Sequence, residues 1–268
     1  MVKRRYKWHT LEQVLSKYWA SIEQAGQLDQ FYQVQNASVA GFSIGIITID
    51  FNYVKLPGNV ANATTFSFPV VYEDIVLEIE DLFNGEEKLL GMVIEAAKKL
   101  EKKGVRAIVG ACGYFNHFQE QVRDAVAVPV YLSSVLQIPL IKMGLKPDQK
   151  IAVLVADGEG ASADFFAKAN ASISDCIVKE IGSLDSFAPI RYNKPFLDNG
   201  RLKSDLVAVV QDLQANHPEI GAILLECSDL PPYAAALHRE TGLPVFDFTT
   251  LINWVHSAVV RREFYGYM

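Results

Sequence analysis

The sequence predicts an α/β protein of two pseudo-symmetric, flavodoxin-like parallel-sheet domains, with the functional site in the cleft between them. Three observations support this fold class. Short apolar runs of strand length alternate with longer stretches of helical spacing. The same order of elements occurs twice along the chain. In each copy a cysteine directly follows a buried strand, so the two copies are predicted to be an internal duplication.

The composition limits the classes of partner. The chain has 268 residues, half of them apolar, which is enough for one large core or two smaller ones. With 25 Lys and Arg against 31 Asp and Glu, the net charge of -6 gives no electrostatic reason to expect nucleic acid or an anionic membrane surface. The expected partner is a small carboxylate or amino-acid-like substrate.

The basic N-terminus is not followed by the apolar run of a signal peptide. No stretch approaches the roughly 20 apolar residues of a spanning helix. We therefore expect a cytoplasmic protein that does not insert into a membrane. Residues 1–40 are predicted to form an N-terminal helical arm, interpreted as a dimerisation or lid element, which leaves a homodimer open.

The first α/β domain is predicted at residues 41–145. It is joined by the C-terminal segment 250–268, in which a helix is predicted from about Thr250 to Phe264. Its first strand, 42–50, is a near-continuous apolar run that ends in Asp50, as expected for a strand covered on both faces. A long loop with Pro57 and Gly58 follows. Loops of this length tend to be functional.

The spacing of apolar residues then predicts a helix over 87–103, which Gly104 ends. A buried strand at 105–110 leads directly to Cys112. A second helical stretch, 116–125, and a short strand, 128–132, complete this half.

The second domain, 146–249, repeats the pattern with a strand at 150–158, a helix at 202–215 and a strand at 220–226, after which Cys227 follows. Each cysteine is followed 17 residues later by a proline that opens a short strand, Pro129 and Pro244. Ser134 and Thr249 each lie 22 residues beyond their cysteine. This matched spacing is the main evidence for the duplication.

The two matched cysteines are the candidate catalytic residues. Ligands of open parallel sheets bind outside the carboxyl ends of the strands, where Cys112 and Cys227 fall. A helix N-terminus there is expected to lower the thiol pKa. The third cysteine, Cys176, begins a further predicted strand, has no counterpart and is interpreted as structural. An odd total without close pairs argues against a disulfide framework and a zinc cage. No metal site is predicted.

Inversion of a carbon centre needs a base on one face and an acid on the other, which two opposed thiols can supply. The substrate carboxylate then needs hydrogen-bond donors around it. The candidate substrate-binding residues are Asp50, Pro57, Gly58, Gly113, Tyr114, Ser133, Ser134, Ser228 and Thr249.

Two segments resemble a known family. GACGYFNHF (Gly110 to Phe118) and LLECSDLPPYAAAL (Leu224 to Leu237) are similar to the two cysteine motifs of the aspartate/glutamate racemase superfamily, and the resemblance extends over about residues 41 to 250. That superfamily includes hydantoin racemases, arylmalonate decarboxylases and maleate isomerases. The resemblance implies a site between two α/β domains, proton transfer by the two cysteines, and no pyridoxal phosphate or other cofactor. Where glutamate racemases have Asn and Thr, this chain has Gly113 and Tyr114, which argues against free glutamate as the substrate.

The leading functional prediction is a cofactor-independent amino-acid racemase, an isomerase that inverts the alpha carbon between Cys112 and Cys227. A hydantoin racemase and an arylmalonate decarboxylase- or maleate isomerase-like enzyme are the alternatives that use the same thiols, and product stereochemistry separates them. The third alternative is a non-catalytic small-carboxylate-binding protein.

Overall fold

The structure of the protein, a computed structural model, describes residues 38–268. The predicted N-terminal arm therefore lies outside the described residues except for its last three. Residues 41–268 form one compact unit.

Two four-stranded parallel sheets make up this unit, which confirms the predicted fold class. The first sheet has the order β2-β1-β3-β4 and the second the order β6-β5-β7-β8, so both halves have the same topology. The strands are β1 (Ile44–Ile49), β2 (Val70–Ile75), β3 (Ala107–Gly110), β4 (Val130–Tyr131), β5 (Lys150–Val155), β6 (Cys176–Glu180), β7 (Ile220–Leu225) and β8 (Val245–Phe246).

The strand register agrees with the duplication read from the sequence. Ile108 on β3 pairs with Val130 on β4, and Ile223 on β7 pairs with Val245 on β8. Both offsets are 22 residues (130 − 108 and 245 − 223), the spacing that separates each cysteine from Ser134 and Thr249. The domain boundaries themselves stay predictions.

Helices flank both sheets. They are α1 (Ile79–Phe83), α2 (Leu90–Lys102), α3 (Gln119–Ala125), α4 (Ile138–Gly144), α5 (Ala163–Ala167), α6 (Ala188–Arg191), α7 (Asn199–Asn216), α8 (Ala234–Thr241) and α9 (Phe248–Val259). Short 3-10 helices cover Glu87–Leu89, Gly113–Phe118, Ser134–Gln137, Ile173–Asp175 and Pro231–Tyr233. The helices predicted at 87–103 and 202–215 correspond to α2 and α7.

One strand, β2, has no counterpart among the predicted elements. Its sequence VVYEDI is only half-buried because β2 is an edge strand of the first sheet. The central strands β1, β3, β5 and β7 are buried almost throughout, and they are the ones that the apolar runs indicated.

The C-terminal helix α9 packs on the first sheet. Phe248, Leu251 and Ile252 share a buried cluster with Ile44 and Val109 of the first sheet. The predicted end of this helix, near Phe264, is wrong, because α9 ends at Val259. There the Arg106 guanidinium donates to the Val259 carbonyl at 2.9 Å.

The start of α9 is fixed by Asp247, which is 2% exposed. Its carboxylate accepts from the Thr250 amide at 2.9 Å, and the Thr250 hydroxyl accepts from the Asp247 amide at 3.0 Å, which makes a capping box. We expect Asp247→Ala to lower the free energy of unfolding by about 1 to 2 kcal/mol. Urea denaturation measures the loss, and Asp247→Asn, which keeps the acceptor, should lose clearly less. Equal losses in the two variants would contradict the capping role.

Within residues 38–268, each helix is too short or too polar to span a bilayer. The cytoplasmic location stays a prediction.

Candidate active site

The two matched cysteines reach one pocket at the carboxyl ends of the central strands. Cys112 lies two residues after β3 and Cys227 two residues after β7. The pocket that contains both is lined mainly by aromatic, aliphatic and acidic side chains. Its lining residues include Phe51, Tyr53, Lys55, Phe83, Cys112, Tyr114, Phe187, Arg191, Glu226, Cys227, Ser228 and Asp229.

Cys227 has a carboxylate partner in this pocket. Its thiol donates a hydrogen bond to Asp229 Oδ2, with 3.4 Å between the sulfur and the oxygen. The other oxygen, Asp229 Oδ1, accepts from the Asn59 side-chain amide. Tyr53 adds a further hydrogen bond to the same carboxyl. The loop after β1 therefore holds Asp229 in place against Cys227.

The amide of Val60 in the same loop donates to the Ser228 carbonyl at 3.3 Å. Nearer the start of this loop, the Asn52 amide donates to the Asn193 side-chain oxygen at 2.6 Å. Together with the bonds of Asn59 and Tyr53 to Asp229, these bonds attach the loop predicted to lie over the end of the first strand to the second half.

The thiol pKa values differ from the expectation of an activated thiolate. Burial, followed by the charge of the neighbouring carboxyls, raises the pKa of both Cys112 and Cys227 well above the usual thiol value. The prediction of a lowered pKa is wrong because the elements that follow the cysteines are short 3-10 helices, and because Glu226 and Asp229 face the sulfurs. A thiol whose pKa is raised in this way is in its protonated form at neutral pH.

Glu226 is a second buried carboxyl beside the cysteines. It is fully buried, and its side chain lies against Gly113, where an added Cβ would overlap the carboxyl. Burial raises its pKa to about 8, and the charges of Asp157 and Asp229 add to the rise. At pH 7 this carboxyl is mostly protonated.

Burial likewise raises the pKa of Asp229, and the hydrogen bonds from Tyr53, Cys227 and Asn59 oppose that rise only in part. A carboxylate with a raised pKa is a better proton acceptor than an ordinary aspartate. Asp229 is therefore suited to take the Cys227 proton along their hydrogen bond.

Two of the predicted hydroxyl groups connect the halves of the molecule. Ser228 Oγ donates to the Ala111 carbonyl at 2.7 Å, and Ser134 Oγ donates to the Leu225 carbonyl at 2.9 Å. Ser228 also lines the pocket, whereas Ser134 does not. The Ser228 bond holds the carboxyl end of β3, and the Ser134 bond the carboxyl end of β4, against that of β7.

The other predicted substrate-binding residues have structural contacts. Ser133 caps the 3-10 helix that follows β4, and Thr249 Oγ1 donates to Asp247 at 2.7 Å. Asp50 is exposed at the end of β1. Pro57 and Gly58 lie in the loop, with Gly58 against Pro232. None of these residues, nor Gly113, is among the pocket-lining residues, and their part in substrate binding stays a prediction.

Tyr114 lines the pocket as the sequence predicted, but its hydroxyl is already paired. It donates to the Asp157 carbonyl and accepts from the Asp157 amide at 2.9 Å. Its ring packs edge-on against Phe83, with 4.7 Å between the ring centroids. Tyr114 is therefore an apolar wall of the pocket rather than a donor to the substrate.

Sequence reasoning missed Tyr53, Glu226 and Asp229. The signal for the last two was present in the motif ECSD, where carboxyl groups stand one residue before and two residues after Cys227. Nothing in the sequence places Tyr53, which approaches from the first half.

Two of the pocket-lining residues carry a positive charge, Lys55 and Arg191. Arg191 is bound to Asp157 at 3.0 Å and to Glu80 at 3.2 Å. Lys55 Nζ donates to the Phe51 carbonyl and lies 4.5 Å from the centroid of the Tyr53 ring. In residues 38–268 no group of three or more His, Cys, Asp or Glu side chains is arranged to hold a metal ion.

No family model matches the chain. The chain is 30% identical over 242 residues to a dimethylsulfoniopropionate lyase of Durusdinium sp. clade D, a match that covers 84% of this chain and 77% of the relative. It is 29% identical over 245 residues to dimethylsulfoniopropionate lyase 3 of Emiliania huxleyi, covering 84% of this chain. The chain spans 61% of the length of that relative.

Among solved structures, a mutant of arylmalonate decarboxylase is similar with a TM-score of 0.55 and 17% identity, covering 81% of this chain and 92% of that one. The aspartate racemase of Picrophilus torridus has a TM-score of 0.51 and 16% identity, covering 82% and 94%. These likenesses confirm that the chain has the fold of the aspartate/glutamate racemase superfamily.

The predictions of an amino-acid racemase and of an isomerase are wrong. The relatives that match over most of this chain are lyases. The error arose because matched cysteines at the strand ends indicate this fold but not the reaction, and the fold hosts more than one reaction.

Proposed function

Because the chain belongs to the family of the dimethylsulfoniopropionate lyases, we propose that it is itself a lyase that cleaves dimethylsulfoniopropionate by elimination, with Cys227 as the base. The observation that carries this proposal is the hydrogen bond from the Cys227 thiol to Asp229 Oδ2 at 3.4 Å, in the wall of the pocket. It provides one thiol with a built-in proton acceptor, which is what a single-base reaction needs.

The chemistry follows from the structure of the substrate. Dimethylsulfoniopropionate has a carboxylate at one end and a positively charged sulfur at the other, with two CH₂ groups between them. A base removes a proton from the carbon next to the carboxylate, and the freed electron pair forms a carbon–carbon double bond. The carbon–sulfur bond breaks and its electrons stay on sulfur. The products are acrylate, dimethyl sulfide and a protonated base, so no oxidant or reductant is involved.

Asp229 is the group that makes Cys227 a base. The thiol proton moves to the Asp229 carboxylate, and the resulting thiolate takes the proton from the substrate. The Asp229 carboxyl then releases its proton to solvent, so one proton is lost for each acrylate formed. Burial opposes the thiolate, since it raises the pKa of Cys227. A bound sulfonium cation stabilises negative charge on the sulfur, so the base forms when the substrate is present.

The order of charges along the pocket supports one orientation of the substrate. The charge of Lys55 lowers the pKa of Asp229, and Asp229 accepts a hydrogen bond from Cys227. The charge of Glu226 raises the pKa of both cysteines. The substrate carboxylate fits the Lys55 end. The carbon that loses a proton then lies near Cys227, and the sulfonium group points towards Glu226 and Cys112.

The test is incubation of the purified protein with dimethylsulfoniopropionate at neutral pH. We expect dimethyl sulfide in the headspace, measured by gas chromatography, and acrylate in equal amount, measured by proton NMR. Heat-denatured protein is the control. Absence of dimethyl sulfide at high enzyme concentration would refute the proposal.

A further inference from the structure

We infer that Glu226 is the counter-ion for a methylated onium group, so that the pocket selects small carboxylates that carry a sulfonium or quaternary ammonium group at their other end. This inference rests on the proposed function and deepens it, because it assigns a residue and a substrate class to one end of the same pocket.

The first argument is that the Glu226 carboxyl has no partner of its own. It directly follows β7, and its amide donates to the Leu154 carbonyl at 3.0 Å, which fixes the backbone. Its side chain is fully buried, and neither carboxyl oxygen makes a hydrogen bond of regular geometry in the part of the chain described. The backbone of Ala156 lowers the pKa of this carboxyl, but burial raises it by more. Buried carboxyl groups without partners are uncommon because they are costly.

The second argument is that the groups around Glu226 are acidic or neutral. The charges of Asp157 and Asp229 raise the pKa of its carboxyl. The charge of Glu226 in turn raises the pKa values of Cys112, Tyr114 and Cys227. Arg191 also lines the pocket, and its Nη2 is paired with Asp157 and Glu80, whereas its buried Nε has no hydrogen-bond partner. The described residues whose charges influence the Glu226 pKa are therefore acidic. A positive charge that balances the Glu226 carboxylate can come from the ligand.

The third argument is the chemistry of the wall. Tyr114 and Phe187 line the same pocket, and aromatic faces attract methylated cations. The third ring of the wall, Phe83, already has the Arg191 guanidinium over it, 5.2 Å from the ring centroid. A sulfonium or quaternary ammonium group has no N–H, so it needs negative charge and apolar surface but no hydrogen-bond acceptors of fixed geometry. The primary ammonium of an amino acid has three N–H donors to satisfy. An unpartnered carboxyl beside aromatic rings therefore suits the onium group and not the ammonium.

A proton balance follows from this assignment. Before a cation binds, most Glu226 side chains are protonated at pH 7, since the pKa is raised to about 8. A bound cation favours the ionised form, so the carboxyl loses its proton to solvent on binding. The transfer from Cys227 to Asp229 is internal and contributes no net proton. We therefore expect release of about 0.5 to 1 proton per site at pH 7.

The experiment is isothermal titration calorimetry at pH 7 with 3-(trimethylammonio)propanoate, in Tris and in phosphate, whose ionisation enthalpies differ. For the wild type we expect binding with release of about 0.5 to 1 proton. For Glu226→Gln, which mimics the protonated side chain, we expect at least about tenfold weaker binding and no release. The matched control Glu159→Gln, in an exposed loop, should behave as the wild type.

The neutral isostere 4,4-dimethylpentanoate separates charge from shape. It should release no proton and bind equally to the wild type and to Glu226→Gln. The inference is overturned if the wild type fails to bind the onium compound, if it binds without proton release, or if Glu226→Gln releases as many protons as the wild type. Calorimetry needs no turnover, so Glu226-dependent proton release without dimethyl sulfide production would refute the proposed function alone. Dimethyl sulfide production with unaltered proton release in the variant would refute this inference alone.

Discussion

Replacing Cys227 by Ala is expected to reduce kcat/KM for dimethylsulfoniopropionate about a thousandfold, within the range by which a positioned base accelerates a reaction. The reason is that the thiol lies in the pocket with its proton already directed at Asp229. Cys227→Ser should be nearly as inactive, because a hydroxyl is a far weaker acid than a thiol. The rate of dimethyl sulfide release measures both variants.

The chain contains a matched control for this experiment. Cys176 is also buried, but it lies at the start of the edge strand β6, with its thiol near the Ser172 carbonyl at 3.8 Å. Cys176→Ala should keep its activity within about twofold of the wild type. Cys112→Ala should lose activity, but less than Cys227→Ala, because elimination needs one base and the described carboxylate partner belongs to Cys227. Activity retained in Cys227→Ala would rule out this assignment of the base.

Replacing Asp229 by Asn is expected to lower kcat by about a hundredfold or more, since the variant keeps the shape of the side chain and loses the proton acceptor. The pH profile distinguishes this role from a structural one. Burial raises the pKa of Asp229, so wild-type kcat should fall as the pH drops through that raised value and the carboxylate is protonated. In Asp229→Asn the thiol must lose its proton to solvent, and burial holds its pKa well above the usual thiol value. The residual activity should therefore keep rising into the alkaline range.

Asp148→Asn is the control, because Asp148 is exposed in the turn between α4 and β5. It should have the wild-type rate and the wild-type profile. If Asp229→Asn had the same pH profile as the wild type at a uniformly lower rate, Asp229 would be a structural residue, and the proton acceptor would have to be sought elsewhere.

The sequence predicted the central strands well and the edge of the first sheet poorly. β1, β3, β5 and β7 are continuous apolar runs because helices cover both faces of each strand. β2 was not predicted because it is a half-exposed edge strand. Its polar residues, such as Glu73 and Asp74, are typical of loops. A continuous apolar run identifies a strand whose two faces are both buried, and β2 has no such run.

For the site, the sequence located the thiols and misjudged their state. Matched spacing in the two halves was sufficient to select Cys112 and Cys227. The state of each thiol depends on burial and on Glu226 and Asp229, and these effects raise its pKa where the sequence suggested a lowered one. In the sequence the two matched cysteines appear equivalent, which suggested a two-base reaction. In the structure Cys227 has the hydrogen bond to a carboxylate, and this difference is not visible from the sequence spacing.

By itself, then, the sequence determined the duplicated parallel-sheet fold and the positions of the two cysteines, because apolar periodicity and fixed spacing are local properties of the chain. Only the tertiary structure decided which groups meet around those cysteines. Tyr53 and Asn59 come from a loop of the first half and converge with Glu226 and Asp229 of the second. Distances and burial set the charge of every group in the pocket, and both arise only when residues far apart in the chain are brought together by folding.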